Sequence, residues 1–456
     1  MKVFNVFRVS LACIMATGII STYYACTNSH ASEKNISYTD NPDVIKRLNW
    51  ALTETLMYDG FAPPVASRAF VYSNIAAYEA LLPADTTRVS LGGQLNELGT
   101  LPKPDPNVKI DATVSMVIAF RDAANSIVYR DHIMDAAADT LIAELSATLD
   151  KAVVDSSISW GTKVGAFIIA WAKKDHFKET RNMPRYEVKY DDPSAWIPTP
   201  PKFIAALEPH WNKVRPFSMS SASEFSPGLK VPFSAEKGSD FYNLALEVYE
   251  TVNNTQPDHL PIALFWDCNP LVSENSGHYM ALRRQFSPGA HWINITRKAC
   301  DLSKADLPKS MEAYVLVSIA IADGFISAWD EKYTTNLIRP ETYINRYIDS
   351  TWRPLIETPM FPENTSAHSV ISMSAATILT MEFGEPFSYV DSTNVPYNRP
   401  PRSFNSFKEA ASEAGRSRLY AGIHYRPAFE MGLEQGGKVA QNLLSKIKIR
   451  KEELVQ

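Results

Sequence analysis

Apolar positions recur three and four apart along almost the whole chain, and the strict alternation of a half-buried strand is rare. Over residues 44–57 this spacing predicts a helix, closed by Asp59-Gly60. Pro63-Pro64 opens a second, running through Ala69-Phe70, Ile75-Ala76 and Leu81-Leu82 to Pro83. Proline suits a helix start, because the N–H it lacks has no intrahelical partner there. Residues 111–129, 132–149 and 159–173 predict three more helices, and Ala137, Ala138 and Ala143 allow close approach between them. Helical spacing resumes at 239–252, 277–285 and 309–329. The last run is nearly continuous in apolar and small residues, so it is predicted as a buried central helix. Residues 369–383, 407–415 and 427–449 complete the pattern.

Between the two helical stretches, residues 177–235 carry Pro193, Pro198, Pro200, Pro201, Pro209 and Pro216, which interrupt any regular element. Trp196 and Trp211 in the same segment make it too aromatic for a flexible linker, and it is expected to be an ordered crossover packed on the surface. The expected fold is therefore all-α: two helical bundles, residues 43–176 and 236–450, joined by a Pro-rich irregular crossover.

Composition narrows the function classes. Of 456 residues, 45% are hydrophobic and 21% charged, which excludes a disordered or collagen-like chain. A net charge of −5 without a basic run offers no electrostatic footing for nucleic acid. Residues 1–25 read as a signal peptide: Lys2 and Arg8 precede an apolar run over 9–22 that is too short to span a bilayer. Ala25-Cys26 resembles a bacterial lipoprotein cleavage site, with Tyr23 where Leu is usual, so Cys26 would carry the lipid and residues 26–42 would be a tether. An ordinary signal peptide beside an incidental thiol is the alternative. Either reading expects export, to the periplasm or to an anchored position at the cell envelope, with no further membrane span. Cys268 and Cys300 are the body cysteines; they could pair in an oxidising compartment or stand as two separate buried thiols. No Cys/His cluster suggests zinc.

Three separated segments share one chemical theme, the holding of a tetrahedral oxyanion. Lys332 is followed at a spacing of seven by Arg339-Pro340, and the proline pushes the Arg339 backbone into an extended form. A point charge and a planar fork could then meet one anion from different sides. Thr365-Ser366-Ala367-His368-Ser369 precedes a helix, whose free N–H groups and the Ser366 hydroxyl would make an anion cradle with His368 poised for proton transfer. Ser417-Arg418 and His424 flank the turn Tyr420-Ala421-Gly422. Taken singly, each has an ordinary structural reading, as surface charges or a helix cap.

Taken in order, the three resemble the signature of the phosphatidic acid phosphatase type 2/vanadium-dependent haloperoxidase superfamily: Lys-x6-Arg-Pro, Pro-Ser-Gly-His and Ser-Arg-x5-His-x3-Asp. Residues 63–68, 198–201, 265–270 and 287–292 look like the exported bacterial vanadium haloperoxidases, and the likeness runs from about residue 43 to 447. The resemblance implies a vanadate cofactor, hydrogen peroxide and halide as substrates, hypohalous acid as product and a homodimer. It implies that Lys332, Arg339 and Arg418 neutralise the vanadate oxygens and that Ser366 and the Ala367 N–H donate further hydrogen bonds. His368 would be the acid–base for peroxide, and His424 would coordinate vanadium. In a phosphatase of the same superfamily the pocket holds a phosphoester, His424 is the nucleophile and His368 protonates the leaving group. A third reading is a catalytically weakened, anion-binding lipoprotein.

Thr365, Ala367 and Ala428 depart from the family Pro, Gly and Asp. The Asp orients the histidine; Glu430 or Glu434 from the terminal helix could take its place, or a backbone carbonyl could, the alternative being that both glutamates are solvated. Loss of the Asp is expected to weigh more heavily on a phosphohistidine mechanism, where a carboxylate stabilises a transient cation. His291, beside Trp292, could line the pocket mouth or support the site from behind, or be structural. His132, His176, His210, His259 and His278 are read as structural or exposed, and the crossover tryptophans as core.

Overall fold

Caps and prolines set most of the helix boundaries. The computed structural model describes residues 35–268 and 285–454 and, between them, strands Ser273–Ser276 and Tyr279–Leu282. The predicted signal peptide, Cys26, His278 and most of the tether lie outside the described residues. Helix α1 (Asp43–Asp59) ends at Gly60, whose left-handed φ of 68° returns its N–H to the Leu56 and Met57 carbonyls. Helix α2 (Pro63–Leu81) starts on its two prolines. Asp111 caps α3 (Ala112–Asn125) by accepting from the Thr113 and Val114 N–H groups. Then come α4 (Asp131–Ser146), α5 (Lys151–Ala172) and the single turn α6 (Phe177–Thr180). Beyond the crossover lie α7 (Asp240–Asn253), α8 (His259–Phe265), α9 (Pro288–Ser303), α10 (Leu307–Thr335) and α11 (Pro340–Tyr347). The chain closes with α12 (Ala367–Phe383), α13 (Phe407–Tyr420) and α14 (Arg426–Lys446).

The all-α expectation holds, with local corrections. Helix α5 starts at Lys151, ahead of the predicted 159, and carries the polar run through Asp155 and Ser156 on its exposed side. The helix expected over 277–285 is replaced at Tyr279–Leu282 by a strand, which pairs antiparallel with Ser273–Ser276. Gly277-His278 between two four-residue runs is a hairpin signal, and it outweighs a helical period too short to nucleate. The crossover contains little regular structure, and Trp196 and Trp211 are fully buried, as core residues.

Helices from both sides of the crossover share one hydrophobic core, with α10 at its centre. Helix α10 is long and apolar enough to cross a membrane, yet its apolar stretch is wholly buried inside the fold. Within it, the buried Asp323 accepts from the N–H groups of Phe217 (2.6 Å) and Ser218 (2.8 Å) and from the Ser218 hydroxyl (2.6 Å). One core carboxylate thus ties down the crossover. Cys268 and Cys300 are separate buried thiols, not a disulfide.

Helices α12 and α14 touch backbone to backbone. A Cβ on Gly436 would lie 2.1 Å from the Val370 carbonyl oxygen, and one on Gly432 would lie 2.8 Å from Ser369 Cβ and 2.9 Å from the Ser366 oxygen. This approach lets the Ser366 N–H donate to the Ala428 carbonyl at 3.0 Å, so the starts of the two helices are locked together. Gly436→Ala is expected to cost about 2 kcal/mol or more, read from denaturant unfolding midpoints. A cost below about 0.5 kcal/mol would mean that the helices do not need this approach.

Candidate active site

The second and third sequence segments meet on one cavity, lined by Ala367, His368, Arg418 and His424, and the first stands behind it, with Arg339 on His424 and Lys332 on the loop before α12. Helix α10 runs to Thr335, so Lys332 sits in its last turn and not beyond it. Its ammonium is fully buried and donates to the carbonyls of Pro362 (3.1 Å), Glu363 (3.2 Å) and Thr365 (2.5 Å). All three protons are engaged by the loop before α12, so Lys332 gives the cavity charge and a fixed loop, not a free donor. Burial, reinforced by Arg339, holds its pKa well below the usual lysine value. Arg339 caps α11 in the extended form its following proline demands, at φ −76° and ψ 151°. Its Nε donates to the Phe361 carbonyl (2.9 Å), and its Nη1 donates to the Ile423 carbonyl (2.9 Å) and to His424 Nε2 (3.0 Å). Its Nη2 is buried with no partner. Burial brings this guanidinium down to about 10. Arg418, in the last turn of α13, donates from Nε to Ser417 Oγ (2.9 Å) and from Nη2 to the Ala263 carbonyl (3.3 Å), and it lines the cavity.

The turn after α13 delivers His424. Gly422 has a left-handed φ of 82°, and a Cβ there would lie 3.1 Å from the Trp352 ring and 2.9 Å from a Val252 methyl. His424 Nδ1 lies 2.8 Å from Glu363 Oε1, which also accepts the Tyr425 N–H at 3.0 Å. The tautomer follows from the neighbours. Arg339 can only donate, so Nε2 must be the bare nitrogen and Nδ1 must carry the proton given to Glu363. Burial, then the charges of Arg339, Lys332 and Arg418, hold His424 well below the ordinary histidine value. Burial pushes the Glu363 carboxyl up to about 7, against the pull of Arg339 and Lys332.

His368 stands in the first turn of α12, not before it. It hydrogen-bonds the Trp266 backbone, while its buried Nε2 has no partner. Burial, then Arg418 and His291, keeps it well below its usual pKa. Ser366 caps α12 through a long 3.4 Å contact from the Ser369 N–H, and Ala367 lines the cavity. The loop is braced from behind by Thr365 Oγ1, which donates to Gln435 Oε1 at 2.6 Å. Phe325, Trp329 and Phe361 form an aromatic part of the cavity wall.

Two expectations are corrected. Glu430 and Glu434 do not reach His424: both point to solvent on α14, and Glu430 faces Arg426 at 3.9 Å. Their place is taken by Glu363, from the loop that leads into α12. Its signal was present as an acid inside the Phe-Pro-Glu-Asn-Thr-Ser-Ala-His run, three residues before Ser366. His291 is not at a mouth but fully buried, between Asp391 and Cys268. Burial disfavours its charge, but Asp391 and then Cys268 raise it to about 10.

At neutral pH, His291 is therefore expected to hold two protons, and His368 and His424 one each. Imidazole nitrogen shifts on histidine-labelled protein test this. Titration of His424 near 6.5, the ordinary value, would contradict the depression by burial and the neighbouring cations, and a proton on Nε2 of the neutral ring would contradict the tautomer.

Comparison with known proteins places this geometry. No curated protein matches the chain. The VCPO second helical-bundle domain family matches residues 348–451. Among solved structures, the chain is similar to a bacterial vanadium-dependent iodoperoxidase, at 40% identity over 91% of this chain and 99% of that one, with a TM-score of 0.85. It shares a fold with holo and apo forms of a bacterial vanadium-dependent chloroperoxidase, each at 14% identity, 85% coverage of this chain and a TM-score of 0.61, covering 94% and 95% of those chains. The iodoperoxidase likeness spans nearly the full length of both proteins, and on it this chain belongs to the vanadium-dependent haloperoxidase family.

Proposed function

We propose that the protein is a vanadate-dependent haloperoxidase that oxidises halide with hydrogen peroxide to hypohalous acid, with iodide as its halide. The iodide assignment rests on the 40% identical relative, an iodoperoxidase. The observation that carries the reading is His424, held neutral with Nδ1 on Glu363 and a bare Nε2 among three buried cations.

The donor set fits an oxoanion. Arg339 Nη2 and His368 Nε2 are buried polar atoms without partners, in a neighbourhood rich in positive charge. His424 Nε2 would be the vanadium ligand. Arg339, Arg418, the Ser366 hydroxyl and the Ala367 N–H would take the oxygens, and Lys332 would act through its charge. When bound, vanadate supplies a Lewis acid that makes a peroxide oxygen electrophilic towards halide. The chain's own residues do the rest. Neutral His368 can accept a peroxide proton at Nε2, since burial and Arg418 disfavour its prior protonation. Glu363 fixes the His424 ring and its tautomer. The Phe325, Trp329 and Phe361 walls limit water around the cavity.

Glu363 gives His424 the carboxylate that Ala428 withholds, so the missing Asp does not separate halide oxidation from phosphoester hydrolysis. The iodoperoxidase relative favours the former. Export through residues 1–25, a lipid on Cys26 and a homodimer belong to the same proposal, the last by family resemblance.

Purified protein given orthovanadate, peroxide and iodide, bromide or chloride in turn is expected to oxidise iodide only when vanadate is present. His424→Ala should lose this activity, and full activity in that variant would overturn the ligand assignment. Phosphoester hydrolysis blocked by vanadate, without halide oxidation, would favour the phosphatase. Glu363→Gln is expected to weaken vanadate binding about 10–100-fold, measured by titration of activity against vanadate.

A further inference from the structure

A second set of reactive groups lies on the same cavity wall. Cys268 follows α8 and lines the cavity with His368, Arg418 and His424. Its sulfur is 3.4 Å from His291 Nδ1, and His291 Nε2 is 2.8 Å from Asp391 Oδ2. Asp391 is fixed in turn: its Oδ1 accepts from the Thr393 N–H (2.9 Å) and from Thr393 Oγ1 (2.5 Å). The imidazole stacks on Trp266, with ring centroids 4.8 Å apart, and meets the edges of Phe265 and Phe286. Thiol, imidazole and carboxylate are thus in line, with the middle ring held on both faces and at both nitrogens.

We propose that Cys268, His291 and Asp391 form a peroxide-reactive thiol site, in which Cys268 is oxidised to a sulfenic acid by the hydrogen peroxide that enters this cavity. The ordering is that of an activated nucleophile: the carboxylate orients the imidazole, and the imidazole N–H faces the sulfur. In the ion-paired form, the Cys268 thiolate attacks one peroxide oxygen. An S–O bond forms and the O–O bond breaks. Sulfur loses two electrons, and the departing hydroxide takes the proton from His291 Nδ1 to become water. Overall, thiol and hydrogen peroxide give sulfenic acid and water, with no other co-reactant. The site shares peroxide with the halide reaction but needs neither vanadate nor halide, so the two readings fail independently.

Cys300 provides an internal comparison. It is buried in α9 beside Ser310, and burial pushes its thiol up to about 12. Reduced full-length protein, free of vanadate and halide, is treated with hydrogen peroxide and trapped with dimedone, and the oxidised peptides are quantified by mass. Cys268 is expected to be oxidised about tenfold or more faster than Cys300. Asp391→Asn should slow Cys268 about tenfold and leave Cys300 unchanged, and Cys268→Ser should remove the fast adduct. Equal rates at the two cysteines, or a Cys268 rate indifferent to Asp391→Asn, would overturn the proposal. Should Asp391→Asn not fold, the comparison of the two cysteines in the native chain and the variant His291→Gln decide it.

Discussion

Three cations are buried around one cavity with Glu363 as the carboxylate in direct contact with its histidine, and the rest of the site follows from how that imbalance is held. Buried charge is costly unless it is hydrogen-bonded. Lys332 is satisfied by three backbone carbonyls, Arg339 by two carbonyls and an imidazole, and Arg418 by a hydroxyl and a carbonyl. Most of these acceptors are neutral, so the positive potential is retained and not cancelled. A pocket solvated this way attracts an anion and keeps His368 and His424 neutral.

Helix ends reinforce the same field. Helices α11, α12 and α14 all start at or beside the site, and Lys332 and Arg418 sit in the last turns of α10 and α13. The positive N-terminal ends of α11, α12 and α14 add to the field, while Lys332 and Arg418 offset the negative C-terminal ends of α10 and α13. The crossover has a part in this as well. The Leu207 carbonyl accepts from Trp329 Nε1 (3.2 Å) and the Tyr333 hydroxyl (2.6 Å), which joins that segment to α10 on either side of Lys332.

Much of this was legible in the residues. Long helices with proline or polar caps announced themselves, because period and capping agree there, as in α2 and α12. Short elements did not. Helices α8 and α11 are too brief for a period to show, and the strand over Tyr279–Leu282 read as a helix because four residues fit either pattern. The motif residues Arg339, His368, Arg418 and His424 were visible through order and spacing. Glu363, Cys268 and Asp391 were not, because their partners lie 61, 23 and 100 residues away and no local pattern records such pairings.

The source of the carboxylate on His424 has a wider consequence. With Glu363 carrying that duty from the loop before α12, position 428 is free to be small, and α14 can seat its first turn directly on Ser366. A pattern search insisting on Asp after the last histidine would pass over chains that, like this one, bring the acid from the loop before α12.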